Sequence, residues 1–326
     1  MSDQLRIGLI GCGRAAERLW LPAFRAVREV RLAAVVDPRS ERRDLIARAV
    51  PSCIKLETPE QLFAGGGVDA AIVATPAETH FALASNGLRA GVPILVEKPL
   101  ASTVAQALEL GELRESAASA LMVGFNRRWW SPIRRLRERL KKRGPASAKA
   151  ELVFVTEAGK WGAVAGIPDL LDDLASHQFD LLRFVLGHEI ESVAAHQAVE
   201  KDIRMQVCLT DGSVAQCRVA HRGLAEESVR LSAGPLHAWI HAKSDRVTPA
   251  GGSARLALDL GNRVWRRLSR RSSSLLRSFE RELREFSAIV RGHADETPGV
   301  ADGIAAARAV AAARRSLSSG GAPVAP

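Results

Sequence analysis

Tyrosine is absent from this chain of 326 residues, and there are only three methionines and four cysteines. The cysteines (Cys12, Cys53, Cys208 and Cys217) are scattered, with no C-x-x-C pair. That spacing argues against a zinc site or a disulfide framework and makes a reducing cytoplasm the expected location. No metal is expected. Long apolar runs are missing too, which excludes a membrane span, and the first residues lead into a strand rather than a signal-peptide core. Aromatic residues make up 5% of the chain. Their scarcity bears on its net charge of +10, concentrated around residues 127–143 and 263–277. In the first block Ser131-Pro132 reads as N-cap and N1 of a helix, with Ile133, Leu136 and Leu140 on one face and the arginines solvated. The second block interleaves serines with one aromatic, Trp265. It therefore lacks a stacking platform for bases, and no nucleic-acid partner is expected.

What is present is a soluble globular composition, 47% hydrophobic and 25% charged, long enough for two domains. Residues 5–10 alternate apolar side chains and run into Gly11-Cys12-Gly13-Arg14-Ala15-Ala16. This is the G-x-G-x-x-G/A turn between a strand and a helix. Gly11 permits the tight turn, Gly13 lets the backbone approach a pyrophosphate, and Ala16 keeps the helix close to the sheet. A second apolar strand, residues 32–36, ends in Asp37, 21 residues beyond Ala16. A carboxylate at that separation takes ribose hydroxyls and favours NAD. Arg39, Arg42 and Arg43 could pair with a 2′-phosphate, which keeps NADP open.

Further strand–helix units follow. Residues 68–74 form a strand ending in Thr75-Pro76, with His80 at the start of the next helix. Residues 92–100, VPILVEKPL, read as a buried central strand ending in Glu97-Lys98-Pro99. The carboxyl end of such a strand is where open α/β sheets hold ligands. A helix over 103–118 and a strand over 120–124 complete a doubly wound parallel sheet. From about residue 146 strands succeed one another without intervening helices, at 148–157, 191–199, 205–210, 213–220, 229–233 and 236–242. Asp211-Gly212 joins two of them as a hairpin. This predicts a mostly antiparallel, open-faced sheet. One helix, 170–186, interrupts it and carries Asp173, His177 and Asp180 on one face, a carboxylate–imidazole pair able to act as a general base. Two C-terminal helices, 278–291 and 302–317, precede a tail expected to be disordered. The expected domains are 1–125, a Rossmann dinucleotide-binding domain, and 126–317, an α+β substrate and oligomerisation domain. The C-terminal helices are candidates to pack back on the first, and 318–326 is the tail.

In order and spacing, several motifs together resemble the glucose-fructose oxidoreductase / inositol dehydrogenase / rhizopine-catabolism (Gfo/Idh/MocA) family. They are Gly-Cys-Gly-Arg, Asp37-Pro38, Ala74-Thr75-Pro76 with His80, Glu97-Lys98-Pro99, Gly124-Phe125-Asn126-Arg127-Arg128 and Asp173-x-x-x-His177. The resemblance implies hydride transfer between NAD(P) and a hydroxyl-bearing carbon of a sugar, sugar nucleotide or cyclitol. It places Gly11, Gly13, Arg14, Ala15, Asp37, Thr75, Pro76, His80, Glu97, Lys98 and Asn126 around the cofactor, and implies an unusual, often cis, turn at Pro99. It assigns catalysis to Lys98, Asp173 and His177, all three also touching substrate, and pocket positions to Arg127 and Trp161. Some branches use a tyrosine as the acid/base; this chain has none, which leaves His177 with Lys98. The sequence departs from the family at Gly166-Ile167-Pro168 and Ala175, which alters the expected pocket wall. The resemblance further implies a homodimer or homotetramer through the open sheet. Two alternatives stand beside net oxidation: a dinucleotide-binding regulator without turnover, and a glycoside-cleaving enzyme that uses the hydride step transiently.

Overall fold

The computed structural model describes residues 4–65, 67–117, 119–142, 144, 147–156, 169–221, 225–241 and 274–326. Trp161, the Gly166-Ile167-Pro168 departure and most of the basic segment 263–277 lie outside the described residues. Two compact units emerge: residues 1–126 with 279–307, and residues 127–278 with 308–326.

The first unit is built on six parallel strands: β1 (Leu5–Ile10), β2 (Val30–Val36), β3 (Ile54–Leu56), β4 (Ala70–Val73), β5 (Ile94–Glu97) and β6 (Leu121–Gly124). Their spatial order is β3-β2-β1-β4-β5-β6, so the winding reverses between β1 and β4. β1, β4, β5 and β6 are almost continuously apolar and buried, as central parallel strands must be when helices cover both faces. Those helices are α1 (Leu21–Ala26), α2 (Ser40–Ala49), α3 (Pro59–Ala64), α4 (His80–Arg89) and α5 (Val104–Ser116). Local chemistry starts two of them. Thr58 and Gln61 form a capping box on α3, and the Thr103 hydroxyl caps α5 by accepting from the Gln106 amide.

The second unit is a six-stranded sheet of order β12-β11-β7-β10-β9-β8. Its strands are β7 (Lys149–Val155), β8 (Ile190–Val199), β9 (Asp202–Leu209), β10 (Val214–Ala220), β11 (Glu226–Ala233) and β12 (Leu236–His241). Only β7 and β10 pair in parallel; every other pairing is antiparallel. The β9–β10 hairpin turns at Asp211-Gly212, where Gly212 has a φ of +79°. Helices α6 (Ser131–Lys141) and α7 (Ser176–Leu186) belong to this unit. One face packs on them through Ile133, Leu136, Leu152, Phe154, Phe179 and Leu182. Gln178, wholly buried, donates to the Leu152 and Arg218 carbonyls and pins α7 across β7 and β10.

Three expectations change, at the start of α6, at the tail and at Arg127-Arg128. The helix over 131–141 begins one residue earlier than the Ser-Pro signal implied: Trp130 holds the cap position and Ser131 is already helical. Burial of the Trp130 indole in the unit's core anchors the chain there. Helix α8 (Ser274–Val290) belongs to the first unit from Phe279 onward, and α9 (Val300–Ser318) contributes to both. The tail is ordered. Val324 exchanges backbone hydrogen bonds of 2.9 and 3.0 Å with Val193 on edge strand β8, and Arg315 and Ser316 bind the Ala325 and Ala322 carbonyls. An edge strand offers unpaired backbone groups, and here the tail satisfies one pair of them. Finally, Arg127 and Arg128 lie in a short 3₁₀ turn before α6 rather than on its solvated face. Among the described residues no helix is long and apolar enough to cross a membrane.

Candidate active site

The strand-order reversal places a crevice at the carboxyl ends of β1 and β4, the location where such sheets bind nucleotides. Gly11 turns the chain there with a φ of +95°, and a Cβ on it would stand 2.4 Å from the Ala74 carbonyl oxygen. No residue but glycine fits. A Cβ on Gly13, by contrast, would meet nothing within 4 Å. The protein's own packing does not require a glycine at 13, whereas a pyrophosphate approaching the backbone does. The following helix is π-wound over Ala16–Trp20 before becoming α1. π-turns cluster at functional sites.

Asp37 sits at the end of β2, only 4% exposed. One carboxylate oxygen accepts the Cys12 amide at 3.0 Å; the other accepts the Arg39 amide and Nε, both at 3.0 Å. Burial would raise this carboxyl, but the Arg39 side-chain and backbone donors and the Cys12 amide outweigh it and hold the group below its ordinary value. Burial first, and Asp37 second, push the Cys12 thiol up to about 12, so it is an inert filler of the turn. Arg42 donates to the Cys12 carbonyl at 2.8 Å and pairs with Glu17, while Arg43 donates to the Asp37 carbonyl. Each of the three guanidiniums thus has a protein acceptor, which weakens the case for a 2′-phosphate.

The next two strand ends are tied together by His80. It is 1% exposed, with Nδ1 2.7 Å from the Pro99 carbonyl and Nε2 2.9 Å from the Thr75 carbonyl. Burial lowers its basicity, against the pull of both carbonyls. Both ring nitrogens are engaged inside the protein, and the residue ties together the Thr75-Pro76 and Lys98-Pro99 segments. The Thr79 hydroxyl adds a 2.7 Å bond to that of Thr75. The Lys98–Pro99 peptide is cis, as the resemblance implied. Lys98 is half-buried at this turn. Glu97 accepts the Trp20 indole N–H at 3.0 Å, and its other oxygen would lie 3.0 Å from a Cβ on Gly124. Trp20 stacks edge-on against Phe279 of α8, with centroids 5.0 Å apart. Nothing in the local sequence marks Trp20 as a partner of a residue 77 positions away. Asn126 is buried at the end of β6, and Arg14 and Ala15 sit in the first turn after Gly13, with Arg14 exposed.

In the second unit, Asp173 lies in a π-wound turn, Leu171–Ala175, that leads into α7 and His177. The regular four-residue spacing that placed the pair on one face is therefore relaxed at its first member. His177 is buried and Asp173 half-buried. Asp169 starts this helix by accepting the Leu171 amide at 2.8 Å, and Arg314 bridges Asp169 and Asp172. His221, which sequence reasoning missed, brings Nε2 to 3.8 Å from the Asp173 carboxylate. Asp180, expected to support the imidazole, is instead held by Arg128 through bonds of 2.6–3.1 Å, with the two side chains 5% and 1% exposed. Arg127 is engaged by Glu227 and lies over Trp130. The charge of both arginines, expected to suit an anionic substrate, is therefore already balanced within the unit.

The strand order, the glycine turn and the buried Asp37 define a dinucleotide-binding Rossmann domain. Residues 5–125 match the family model described as the oxidoreductase family, NAD-binding Rossmann fold (GFO_IDH_MocA). That match covers the Rossmann domain. Inositol 2-dehydrogenase 4 of Saccharopolyspora erythraea is 30% identical over 194 residues, 59% of this chain and 56% of that protein. The chain thus spans about half the length of the curated relatives it matches. Two solved structures share the whole fold. A putative myo-inositol dehydrogenase from Sinorhizobium meliloti 1021 has a TM-score of 0.81 at 21% identity, covering 99% of each chain. The WlbA dehydrogenase from Bordetella pertussis, in complex with NADH and UDP-GlcNAcA, has a TM-score of 0.80 at 18% identity, covering 100% of this chain and 99% of that one.

Proposed function

We propose that this protein is an NAD-dependent oxidoreductase acting on a secondary alcohol, or the corresponding ketone, of a sugar or cyclitol. The observation that carries the reading is the glycine turn. Gly13 is unconstrained by the protein and stands beside the crevice where the sheet order reverses. Gly11, Gly13, Arg14 and Ala15 would hold the pyrophosphate, Asp37 the ribose, and Thr75, Pro76, Glu97, Lys98 and Asn126 the nicotinamide end. Bound there, NAD supplies the hydride acceptor. The partners already held by Arg39, Arg42 and Arg43 favour NAD over NADP.

The protein's own part is proton handling and orientation. Lys98 polarises the substrate oxygen, His177 takes the hydroxyl proton, and Asp173 stabilises the imidazolium that results. Glu97, fixed by Trp20, keeps the turn that presents Lys98. The relatives named inositol dehydrogenases, and the WlbA dehydrogenase with its bound sugar nucleotide, set the panel to test: myo-inositol, other cyclitols, aldoses and UDP-sugars. NADH formation with a member of that panel is expected, and Lys98→Ala and His177→Ala should each lower kcat by at least ~10². Undiminished turnover in both variants refutes these roles. Tight NADH binding without redox change on any substrate would favour a regulator instead. Self-assembly through the open face of the second sheet, where Arg230–Glu151 and Arg218–Asp202 pairs lie, is part of the same proposal. Light scattering of the purified protein tests it, and a monomer rejects it.

A further inference from the structure

His221 directly follows β10, and its position is fixed from both sides. Its backbone N–H donates to the Lys201 carbonyl at 3.0 Å, and Thr156 at the end of β7 donates to the neighbouring Ala220 carbonyl at 2.9 Å. The ring is consequently held between two groups. Nδ1 lies 3.4 Å from the Thr156 hydroxyl, and Nε2 lies 3.8 Å from the Asp173 carboxylate. The side chain is 8% exposed. What exposure it has opens onto a cavity of about 590 Å³, lined also by Gln197, Glu200, Lys201, Asp169 and Arg314. His221 therefore belongs both to that cavity and to the immediate surroundings of Asp173.

We propose that His221 is a positioning residue that acts through Asp173 and returns the proton released in alcohol oxidation to solvent in this cavity. The inference rests on the functional reading above. With NAD bound to supply the hydride acceptor, the substrate O–H would give its proton to His177 as the alcohol carbon is oxidised. Asp173 stabilises the resulting imidazolium and lies 3.8 Å from Nε2 of His221, whose ring passes the proton on to cavity water. Every group ends in its starting state, and the single proton appears in solution as the proton of the overall oxidation. Nδ1 is turned to the Thr156 hydroxyl, and Nε2 is the ring nitrogen nearest Asp173. The other charged groups facing the ring side of the cavity are themselves paired. Arg314 is held by Asp169 and Asp172, and Lys201 lies 3.7 Å from Glu200.

The test compares wild type, His221→Gln and His177→Ala, using NAD with myo-inositol or whichever panel polyol is turned over. His221→Gln should retain NADH affinity, lose at least ~10-fold in kcat, and move the acid limb of its kcat–pH profile upward. His221→Ala should show the same loss and be rescued by added imidazole, which the cavity admits; a merely structural histidine would not respond. If the Gln variant does not fold, His221→Asn is assayed in its place. A pH profile like that of wild type, or loss of rate without imidazole rescue, overturns the inference while leaving His177 in its role. Wild-type turnover in His177→Ala would overturn the functional reading and this inference with it.

Discussion

Removing either member of the Arg128–Asp180 pair should destabilise the second unit far more than removing both. The guanidinium meets the carboxylate through three bonds of 2.6–3.1 Å, with the two side chains 5% and 1% exposed. At a charge-to-charge separation of about 4 Å and an effective dielectric of about 20, the attraction is about 4 kcal/mol. Desolvating each ion costs several kcal/mol, so the pair as a whole contributes little net stability. A lone survivor has no such offset. Arg128→Met leaves a carboxylate buried in α7, and Asp180→Leu leaves a guanidinium 4.9 Å above the Phe184 ring. Each should lose about 3–5 kcal/mol, whereas Arg128→Met/Asp180→Leu should be near neutral or gain up to about 4 kcal/mol. Urea unfolding, followed by tryptophan fluorescence and far-ultraviolet circular dichroism, measures this. Coincidence of the two probes checks whether one transition describes the chain. Single losses below about 1 kcal/mol, the size expected of a solvated pair, or a double variant that simply sums its singles, would refute the reasoning.

Gly11→Ala and Gly13→Ala should separate folding from ligand binding. The first meets the Ala74 carbonyl and a positive φ, and should lower the melting temperature; the second should melt like wild type yet bind NADH at least ~10-fold more weakly, about 1.4 kcal/mol. Equal NADH affinity in Gly13→Ala, by isothermal calorimetry, would contradict a pyrophosphate at this turn. Asp69 accepts the Arg6 guanidinium and amide at the start of the sheet, and the Arg6 side-chain bond holds its carboxyl below the ordinary value. Its stabilisation is therefore present above about pH 4, the unfolded value, and fades as pH falls through the depressed folded value. Thermal melts of Asp69→Asn and wild type should differ at neutral pH and converge in acid. A gap that persists at low pH would show that the charge is not responsible. Fluorescence titration should find NADH bound more tightly than NADPH, and the reverse order would mean that Arg39, Arg42 and Arg43 leave their present acceptors.

The sequence by itself determined the features set by nearest neighbours along the chain. Gly11-Cys12-Gly13 after an alternating strand, Asp37 at the end of the next, and the apolar run closing in Glu97-Lys98-Pro99 each need only local backbone geometry and a period of burial. Their order sufficed for the doubly wound sheet and for the open antiparallel one after it. Only the tertiary structure decided which charged group answers which. Asp180 lies on the helix face that made it a partner for His177, but Arg128, 52 residues earlier, takes both of its oxygens. Glu97 finds Trp20, Asp173 finds His221, and the Gly/Ala/Pro-rich tail finds the edge of β8 through Val193 and Val324. Electrostatic attraction and hydrogen bonding depend on distance through space. That distance is set by strand order and register, and no spacing along the chain records it.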